Sequence, residues 1–406
     1  MPHRIPPLRS GHHLQLLEGS RELFPALVAA IDAAQAEVRL ESYIFDFTAS
    51  GAEVAYALER AARREVAVHV VVDGVGAAGV PQHWLHRLEL AGVQWHVYSP
   101  PGRFGLLWPG QWRRLHRKLC VVDRSVAFCG GINILDDFHD PNHGALLAPR
   151  LDFAVRVTGP LVQGVHAAME RLWLRIVAMQ QLRHARLAGS LLTLRASATR
   201  AAVAAAPVAS HGLPRARAAL LLRDNVRNRA SIERAYLRAI GRARREILIA
   251  NAYFVPGGRM RRALVSAARR GVQVTLLLQG RYEYFMQYYA ARPVFGALLR
   301  AGVHIIEYEP SFLHAKVAVV DGRWATVGSS NLDPLSLLLA REANVIVEDT
   351  SFAARLRQRL WHAVQHEGRR MDPAVFASRS RATRAKEWLA LVVMRALLAI
   401  QGKSYL

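Results

Sequence analysis

The nine residues LHRKLCVVD, at positions 115–123, recur almost unchanged as LHAKVAVVD at positions 313–321. Each copy places a histidine, a lysine and an aspartate at the same spacing, namely His116, Lys118 and Asp123, then His314, Lys316 and Asp321. The chain has 406 residues and 54 Lys and Arg in total, of which only four are Lys. A lysine ammonium is a compact, mobile charge and an arginine a planar fork, so lysine at both matched positions indicates a chemical requirement.

The repeat extends well beyond these nine residues. Residues 34–45 parallel residues 243–254, and residues 61–74 parallel residues 267–280. Each half reads as amphipathic helices alternating with short β-branched runs, which predicts strand–helix–strand crossovers. The sequence therefore predicts an α/β protein of two pseudo-symmetric halves. Each half is expected to be a mixed, mostly parallel sheet flanked by helices, with the active site at the interface of the halves.

Four segments are predicted from these patterns. They are a first half at 12–160, a helix and linker at 161–215, a second half at 216–365 and a C-terminal amphipathic extension at 366–406. The extension contains an apolar stretch edged with cations that is too short to span a bilayer. This pattern fits a helix in a membrane interface and equally an ordinary helix docked on the protein.

The composition indicates an anionic partner. The net charge is +23 and the hydrophobic content is 52%, which suits either nucleic acid or an anionic membrane surface. A coding bias towards Arg is the alternative source of this charge. The two cysteines, Cys120 and Cys129, are too few for a disulfide framework or a zinc cluster. No secretory signal or membrane span is expected from the sequence.

Two aromatic-rich stretches stand near the repeated motif. Residues 100–118 and residues 280–293 mix aromatic side chains with arginines. Either stretch fits the lipid-facing mouth of a site or a packed loop.

Two histidines and two lysines in one composite site predict phosphodiester chemistry. One imidazole can attack phosphorus while the other protonates the leaving oxygen and later deprotonates the incoming alcohol. Two ammonium groups can stabilise the charge that develops on the non-bridging oxygens. This chemistry runs through a phosphohistidine intermediate and requires no cofactor or metal.

The duplicated H-x-K-x-x-x-x-D motif, followed in each half by G-G/S-x-N, resembles the phospholipase D superfamily. The resemblance covers about residues 12–365. NAYFVPG (251–257), the GSSNLDPLS run and REANVIVED (341–349) resemble the bacterial cardiolipin synthases, closest to the shorter type-B kind. The resemblance implies two phospholipase D-like halves that share one active site.

The resemblance also implies roles for individual residues. His116 and His314 would be the nucleophile and the general acid/base, with relatives favouring His116 as the nucleophile. Lys118 and Lys316 would bind the phosphoryl oxygens. Asp123 and Asp321 complete the catalytic motif, but the family places them off the substrate, where they support a turn.

A further set of polar residues is assigned in the same way. Asn133 and Asn331 would bind the phosphate, although capping of a turn is the simpler alternative for both. Ser329 stands where relatives often have a phosphate-binding hydroxyl, and Gly131 replaces it in the first half. Asp152 and Glu342 would accept from the second imidazole nitrogen and fix the tautomer.

The function implied is a cardiolipin synthase that condenses two phosphatidylglycerols and releases glycerol. Two alternatives are a hydrolase (a phospholipase D or a nuclease) and an inactive lipid-binding scaffold. The expected partners are phosphatidylglycerol and the membrane surface rather than nucleic acid. The expected location is peripheral, on the cytoplasmic face of a bacterial membrane. Internal duplication completes the site within one chain, so the chemistry requires no second copy and the sequence leaves the oligomeric state open.

Overall fold

The computed structural model describes residues 5–101, 112–183, 216–224, 228–281, 285–333 and 340–400. Much of the linker predicted before residue 215, and much of the stretch 100–118, therefore lie outside the described residues. So do the three residues 282–284 of the second aromatic stretch, and the end of the GSSNLDPLS run.

The first half alternates strands and helices as its repeat predicts. Its strands are β1 (Arg9–Glu18), β2 (Glu37–Ser42), β3 (Ala67–Asp73), β4 (Gln94–Tyr98), β5 (Arg114–Leu115), β6 (Lys118–Val122), β7 (Val126–Gly130), β8 (His139–Asp140), β9 (Gly144–Ala145) and β10 (Phe153–Thr158). Its helices are α1 (Gly19–Asp32), α2 (Ala49–Arg63) and α3 (Gln82–Leu90), and helix α4 (Leu161–Arg183) follows it.

The second half repeats this order. Its strands are β11 (Ala216–Arg223), β12 (Glu246–Asn251), β13 (Gln273–Gln279), β14 (His304–Tyr308), β15 (Lys316–Val320), β16 (Trp324–Gly328), β17 (Ala340–Glu348) and β18 (Gly368–Arg370). Its helices are α5 (Ser231–Arg242), α6 (Gly258–Arg269), α7 (Phe285–Arg300), α8 (Thr350–His366), α9 (Pro373–Ala377) and α10 (Arg381–Ile400). None of the described helices is long and apolar enough to cross a membrane.

The two α/β halves are confirmed, but the expectation of mostly parallel sheets is wrong. The strand order is β1-β10-β7-β6-β2-β3-β4 in the first half and β11-β17-β16-β15-β12-β13-β14-β18 in the second. Within those orders only β2-β3-β4 and β12-β13-β14 pair in parallel, and the other neighbours are antiparallel. Two of these antiparallel pairs have a local reason: β6–β7 and β15–β16 are hairpins, and a short turn can join only antiparallel strands.

The halves are joined through both hydrogen bonds and packing. β1 pairs antiparallel with β11, with Arg9 opposite Ala218. One buried apolar cluster contains Leu119 and Val155 from the first half together with Val317 and Val345 from the second. Separate clusters bury the outer helices of each half. The interface that holds the site is therefore part of the hydrophobic core.

The C-terminal segment packs against the second half. β18 extends the sheet beside β14, and helix α10 buries Ala390, Leu391 and Met394 in the same cluster as helix α7. Lys386 also donates to the Tyr289 hydroxyl of α7 over 3.1 Å. Helix α10 is thus docked on the protein along one face. The segment boundaries at residues 160, 215 and 365 stay predictions.

Candidate active site

Each motif histidine is hydrogen-bonded to the opposite half of the chain. His116 lies between β5 and β6, and its backbone N–H donates to the carbonyl oxygen of Arg341 over 3.0 Å. His314 precedes β15, and its backbone N–H donates to the carbonyl oxygen of Leu151 over 3.0 Å. The residue after each acceptor is a carboxylate, Glu342 in one case and Asp152 in the other. The backbone alone therefore brings each histidine to a carboxylate of the other half.

The side chains complete this crossed arrangement. His116 Nδ1 lies 3.1 Å from the Glu342 carboxylate, and His314 Nδ1 lies 2.6 Å from Asp152 Oδ2. An ionised carboxylate can only accept, so Nδ1 of each imidazole carries the proton. Nε2 of each ring is left as the nitrogen available for chemistry.

The two motif lysines lie buried beside the histidines. Lys118 Nζ donates to the carbonyl oxygen of His116 over 2.9 Å, and Lys316 Nζ donates to that of His314. Lys316 Nζ is also 3.8 Å from Asp152 Oδ2. Burial and the neighbouring Lys316 ammonium lower the pKa of Lys118 to about 7. Two cations held close together without bulk water are a site that an anion would stabilise.

Burial also adjusts the histidines and their carboxylates. It lowers the pKa of His116, with Glu342 opposing the shift, and it lowers the pKa of His314 well below its usual value, reinforced by both motif lysines. Burial raises the pKa of Asp152 to about 6 against the effect of Lys316. Burial would also raise the pKa of Glu342, but His116 and other partners hold it below its usual value. The two imidazole–carboxylate pairs are therefore electrostatically unequal.

The asparagines link the motif to the neighbouring strand ends. Asn133 Oδ1 accepts from the backbone N–H of Ile44 over 3.1 Å, and Asn331 Oδ1 accepts from that of Tyr253 over 3.4 Å. The oxygen of each amide is thus used structurally, as the turn-capping alternative expects. The amide nitrogen is the donor through which the predicted phosphate contact would be made.

Ser329 contacts the carboxylate beside His116. Its hydroxyl is fully buried, donates to Glu342 Oε2 over 2.5 Å and accepts from the backbone N–H of Ala343 over 3.1 Å. The hydroxyl therefore holds the carboxylate that orients His116, and its predicted contact with the phosphate stays a prediction.

Gly131 occupies the position equivalent to Ser329 for a steric reason. A Cβ atom at Gly131 would lie 2.3 Å from Asp152 Oδ1. The shorter aspartate of the first half fills the space that the serine takes in the second. This explains why one half lacks the hydroxyl.

Replacing Gly131 with alanine is expected to lower the free energy of unfolding by about 1–3 kcal/mol, because overpacking a rigid site forces displacement. It should also lower activity by moving Asp152 away from His314. Thermal unfolding and turnover of the purified variant measure both effects. Gly164→Ala is the matched control, since nothing lies within 4 Å of its Cβ position. Equal stability of the two variants would contradict the steric explanation.

Asp123 and Asp321 lie away from the histidines and organise turns. The Asp123 carboxylate accepts from the backbone N–H groups of Gln35, Ala36 and Glu37. Asp321 accepts from the equivalent residues 244–246. Both aspartates have positive φ, 48° and 52°, which aspartate tolerates better than most residues. Their contacts are structural, as the family resemblance implied.

Asp123→Asn is expected to destabilise the fold by about 1–2 kcal/mol, the range for losing a carboxylate that caps backbone amides. Burial would raise the pKa of Asp123, but the three backbone N–H groups outweigh it and lower the pKa. The stabilisation is therefore present above the unfolded pKa of about 4 and lost as pH falls through the folded pKa. Urea unfolding at pH 7 and pH 3 tests this. A deficit in the variant that persists undiminished at pH 3 would contradict it.

Three residues beside the site were not predicted from the sequence. The Tyr43 ring lies 5.1 Å from the His116 ring and 5.4 Å from Lys118 Nζ. Asp73, at the end of β3, accepts from the backbone N–H of Leu115 over 2.7 Å and from Arg114 over 3.1 Å. The sequence marks these three positions in one way: the second half of the repeat has different residues at the equivalent positions.

Comparison with known proteins places this geometry in a family. The sequence profile described as cardiolipin synthase, phospholipase D-like domain, matches residues 27–173 and 236–364. The chain belongs to this family. It is 34% identical to cardiolipin synthase B of Escherichia coli K12, over 97% of this chain and 90% of that protein. It is 27% identical to a probable cardiolipin synthase of Bacillus subtilis, over 92% of this chain and 70% of that one.

Solved structures support the same fold at low sequence identity. Phosphatidylserine synthase of Haemophilus influenzae aligns with a TM-score of 0.64 at 12% identity, covering 98% of this chain and 95% of that one. Polyphosphate kinase of Porphyromonas gingivalis aligns with a TM-score of 0.55 and covers 53% of that chain. The prediction of a phospholipase D-like fold in the cardiolipin synthase family is confirmed.

Proposed function

We propose that this phosphatidyltransferase joins two phosphatidylglycerols into cardiolipin and releases glycerol, through a phosphohistidine intermediate. The crossed pairing of His116 with Glu342 and of His314 with Asp152 is the observation that carries the proposal. It gives two imidazoles of fixed tautomer in one site, which a two-step displacement requires.

The first step forms a phosphorus–nitrogen bond. Nε2 of His116 attacks the phosphorus of the donor lipid as the bond to the glycerol oxygen breaks. Burial and the two lysines lower the pKa of His314, whereas the negative charge of a bound phosphate would raise it. His314, protonated at Nε2 in this complex, gives its proton to that oxygen. In the second step His314 takes the proton of the acceptor hydroxyl, whose oxygen attacks phosphorus. The phosphorus–nitrogen bond then breaks and its electron pair returns to His116.

The other polar groups stabilise charge on the phosphate. Lys118 and Lys316 would bind the non-bridging oxygens, and the amide nitrogens of Asn133 and Asn331 would add neutral donors. Because the site is buried, each of these interactions is stronger than in water. This assignment follows the pseudo-symmetry of the site, in which each half contributes one lysine and one asparagine.

Product analysis tests the function directly. Purified protein is mixed with phosphatidylglycerol vesicles and the products are identified by mass spectrometry. Cardiolipin and glycerol in equal amounts are the expected result. Phosphatidic acid without cardiolipin would establish the alternative hydrolase. No turnover of phosphatidylglycerol would overturn the proposed donor, and vesicles with phosphatidylethanolamine and then single-stranded DNA would be tried next.

A membrane surface is the proposed partner, on the cytoplasmic face. Helix α10 is docked through one face, yet on another face it exposes Trp388 (61%), Leu389 (58%) and Val393 (40%). The exposed cations Arg384 and Arg395 lie on the same helix. An apolar stripe with a tryptophan and flanking cations is typical of helices that lie in an anionic bilayer interface.

The double variant Trp388→Ser/Leu389→Ser is expected to bind phosphatidylglycerol vesicles about tenfold more weakly or worse, because two apolar side chains no longer insert. Sedimentation with vesicles measures this. Leu90→Ser removes a side chain that is 75% exposed in the first half and should leave binding unchanged. Equal binding of the double variant and the unchanged protein would rule this surface out. Self-association that the variant abolishes would assign the stripe to a second copy.

A further inference from the structure

The two sides of the active site are closed to different degrees. In the first half, Arg114 fills the space beside the end of β3. Its Nη1 donates to Asp73 over 3.1 Å and its Nη2 donates to Ser99 Oγ over 3.0 Å. Tyr43 covers His116. This side of the site is occupied by the protein's own side chains.

The equivalent residues in the second half are smaller or differently bonded. The repeat places Ala252 opposite Tyr43, Gln279 opposite Asp73 and Phe312 opposite Arg114. Gln279 Oε1 accepts from the backbone N–H of Leu313 over 3.2 Å, as Asp73 does from Leu115. Gln279 Nε2 is buried and has no hydrogen-bond partner among the described residues. The amide donor of Gln279 therefore has no described partner at the place where the first half has the Arg114–Asp73 ion pair.

A narrow cleft, partly open to solvent, lies at this place. Its lining includes Ala252, Tyr253, Gln279, Tyr288 and Arg292. Arg292 is held by Glu307 over 2.7 Å and stacks on the Tyr288 ring, 4.4 Å from its centre. The cleft thus combines aromatic walls with an unused amide donor, which suits a small neutral polyol better than an acyl chain.

Two residues that line the cleft are hydrogen-bonded to residues of the proposed phosphate site. The backbone N–H of Tyr253 donates to Asn331 Oδ1, and the backbone N–H of Ala252 donates to the carbonyl oxygen of Ala315, next to His314. In an in-line displacement with His116 as nucleophile, the leaving and the incoming oxygen both lie on the His314 side. The cleft is on that side.

We propose that this second-half cleft binds the glycerol that leaves in the first step and the glycerol headgroup of the acceptor lipid that enters in the second. Gln279 Nε2 would donate to a hydroxyl of either one. The inference rests on the proposed function and adds the place and chemistry of the acceptor site. The proton of the acceptor hydroxyl passes to His314. At the equivalent place in the first half, the side chains of Tyr43 and Arg114 occupy the space.

Ala252→Tyr copies the first half and should fill the cleft. Phosphatidylglycerol vesicles are supplied with labelled glycerol or labelled methanol, and transfer of the phosphatidyl group to each alcohol is measured. Glycerol transfer is expected to fall about tenfold or more relative to methanol transfer, because methanol needs no cleft. An equal loss with both alcohols, or no loss with either, would overturn the assignment.

Gln279→Glu gives a second test that leaves the packing intact. It keeps an oxygen for Leu313 and removes the amide donor, so the KM for glycerol should rise several-fold while methanol transfer is unchanged. Thr275→Val is the matched control, since the Thr275 hydroxyl on the same strand is also buried without a described partner. An unchanged KM for glycerol in the Gln279 variant would overturn the inference. Failure of the unchanged protein to transfer to either alcohol would instead overturn the proposed function.

Discussion

Replacing either His116 or His314 with alanine is expected to lower cardiolipin formation by at least about 10³-fold, because each imidazole performs a step that water performs poorly. Loss of the nucleophile prevents the phosphorus–nitrogen bond from forming. Loss of the acid/base leaves the glycerol oxygen without a proton donor. The histidine of one half therefore cannot substitute for the histidine of the other. Initial rates with phosphatidylglycerol vesicles measure the effect.

The two variants also assign the roles of the histidines. If His116 is the nucleophile, a phosphatidyl adduct can accumulate on His116 in His314→Ala when a donor with a better leaving group is supplied, and none forms in His116→Ala. Mass spectrometry of the acid-labile adduct identifies the residue. His86→Ala removes an exposed histidine outside the site and should keep full activity. Unimpaired turnover in either active-site variant would contradict these roles, and vesicle binding without turnover by the unchanged protein would support the inactive scaffold.

Glu342→Gln is expected to lower turnover by about 10²-fold, although Glu342 touches no substrate. The glutamine removes the charge that favours the imidazolium form of His116. Its amide NH2 group can also face Nδ1–H, and two donors cannot form a hydrogen bond. Because Glu342 raises the pKa of His116, NMR titration should show the pKa of His116 lower still in this variant. A substitution in the second half is therefore expected to change the pKa of a histidine in the first half.

Asp152→Asn should produce the same loss of turnover through His314. Glu348→Gln is the control on the strand that carries Glu342, where Glu348 forms an exposed ion pair with Arg217 and exposed pairs contribute little. An effect of Glu342→Gln on His314, with His116 unchanged, would contradict the crossed arrangement.

Most of the site could be predicted from the sequence because the motif is duplicated. The matched histidines and lysines required no knowledge of the fold, and the two carboxylates were assigned from the family resemblance. The roles of Tyr43 and Arg114 could not be predicted, because packing across the interface decides them. The contact of Ser329 with Glu342, 13 residues away along the chain, could not be predicted either, because spacing does not show it.

The sequence by itself determined that the chain has two related α/β halves and two matched histidine–lysine motifs, because repetition and residue chemistry are properties of the chain. The strand directions could not be predicted, since buried β-branched runs look alike in parallel and antiparallel strands; the β6–β7 and β15–β16 hairpins account for two of the antiparallel pairs. Only the tertiary structure decided that each histidine pairs with the other half's carboxylate and that one side of the site stays open. Both depend on contacts between residues far apart in sequence, which form when the halves bury their shared apolar core.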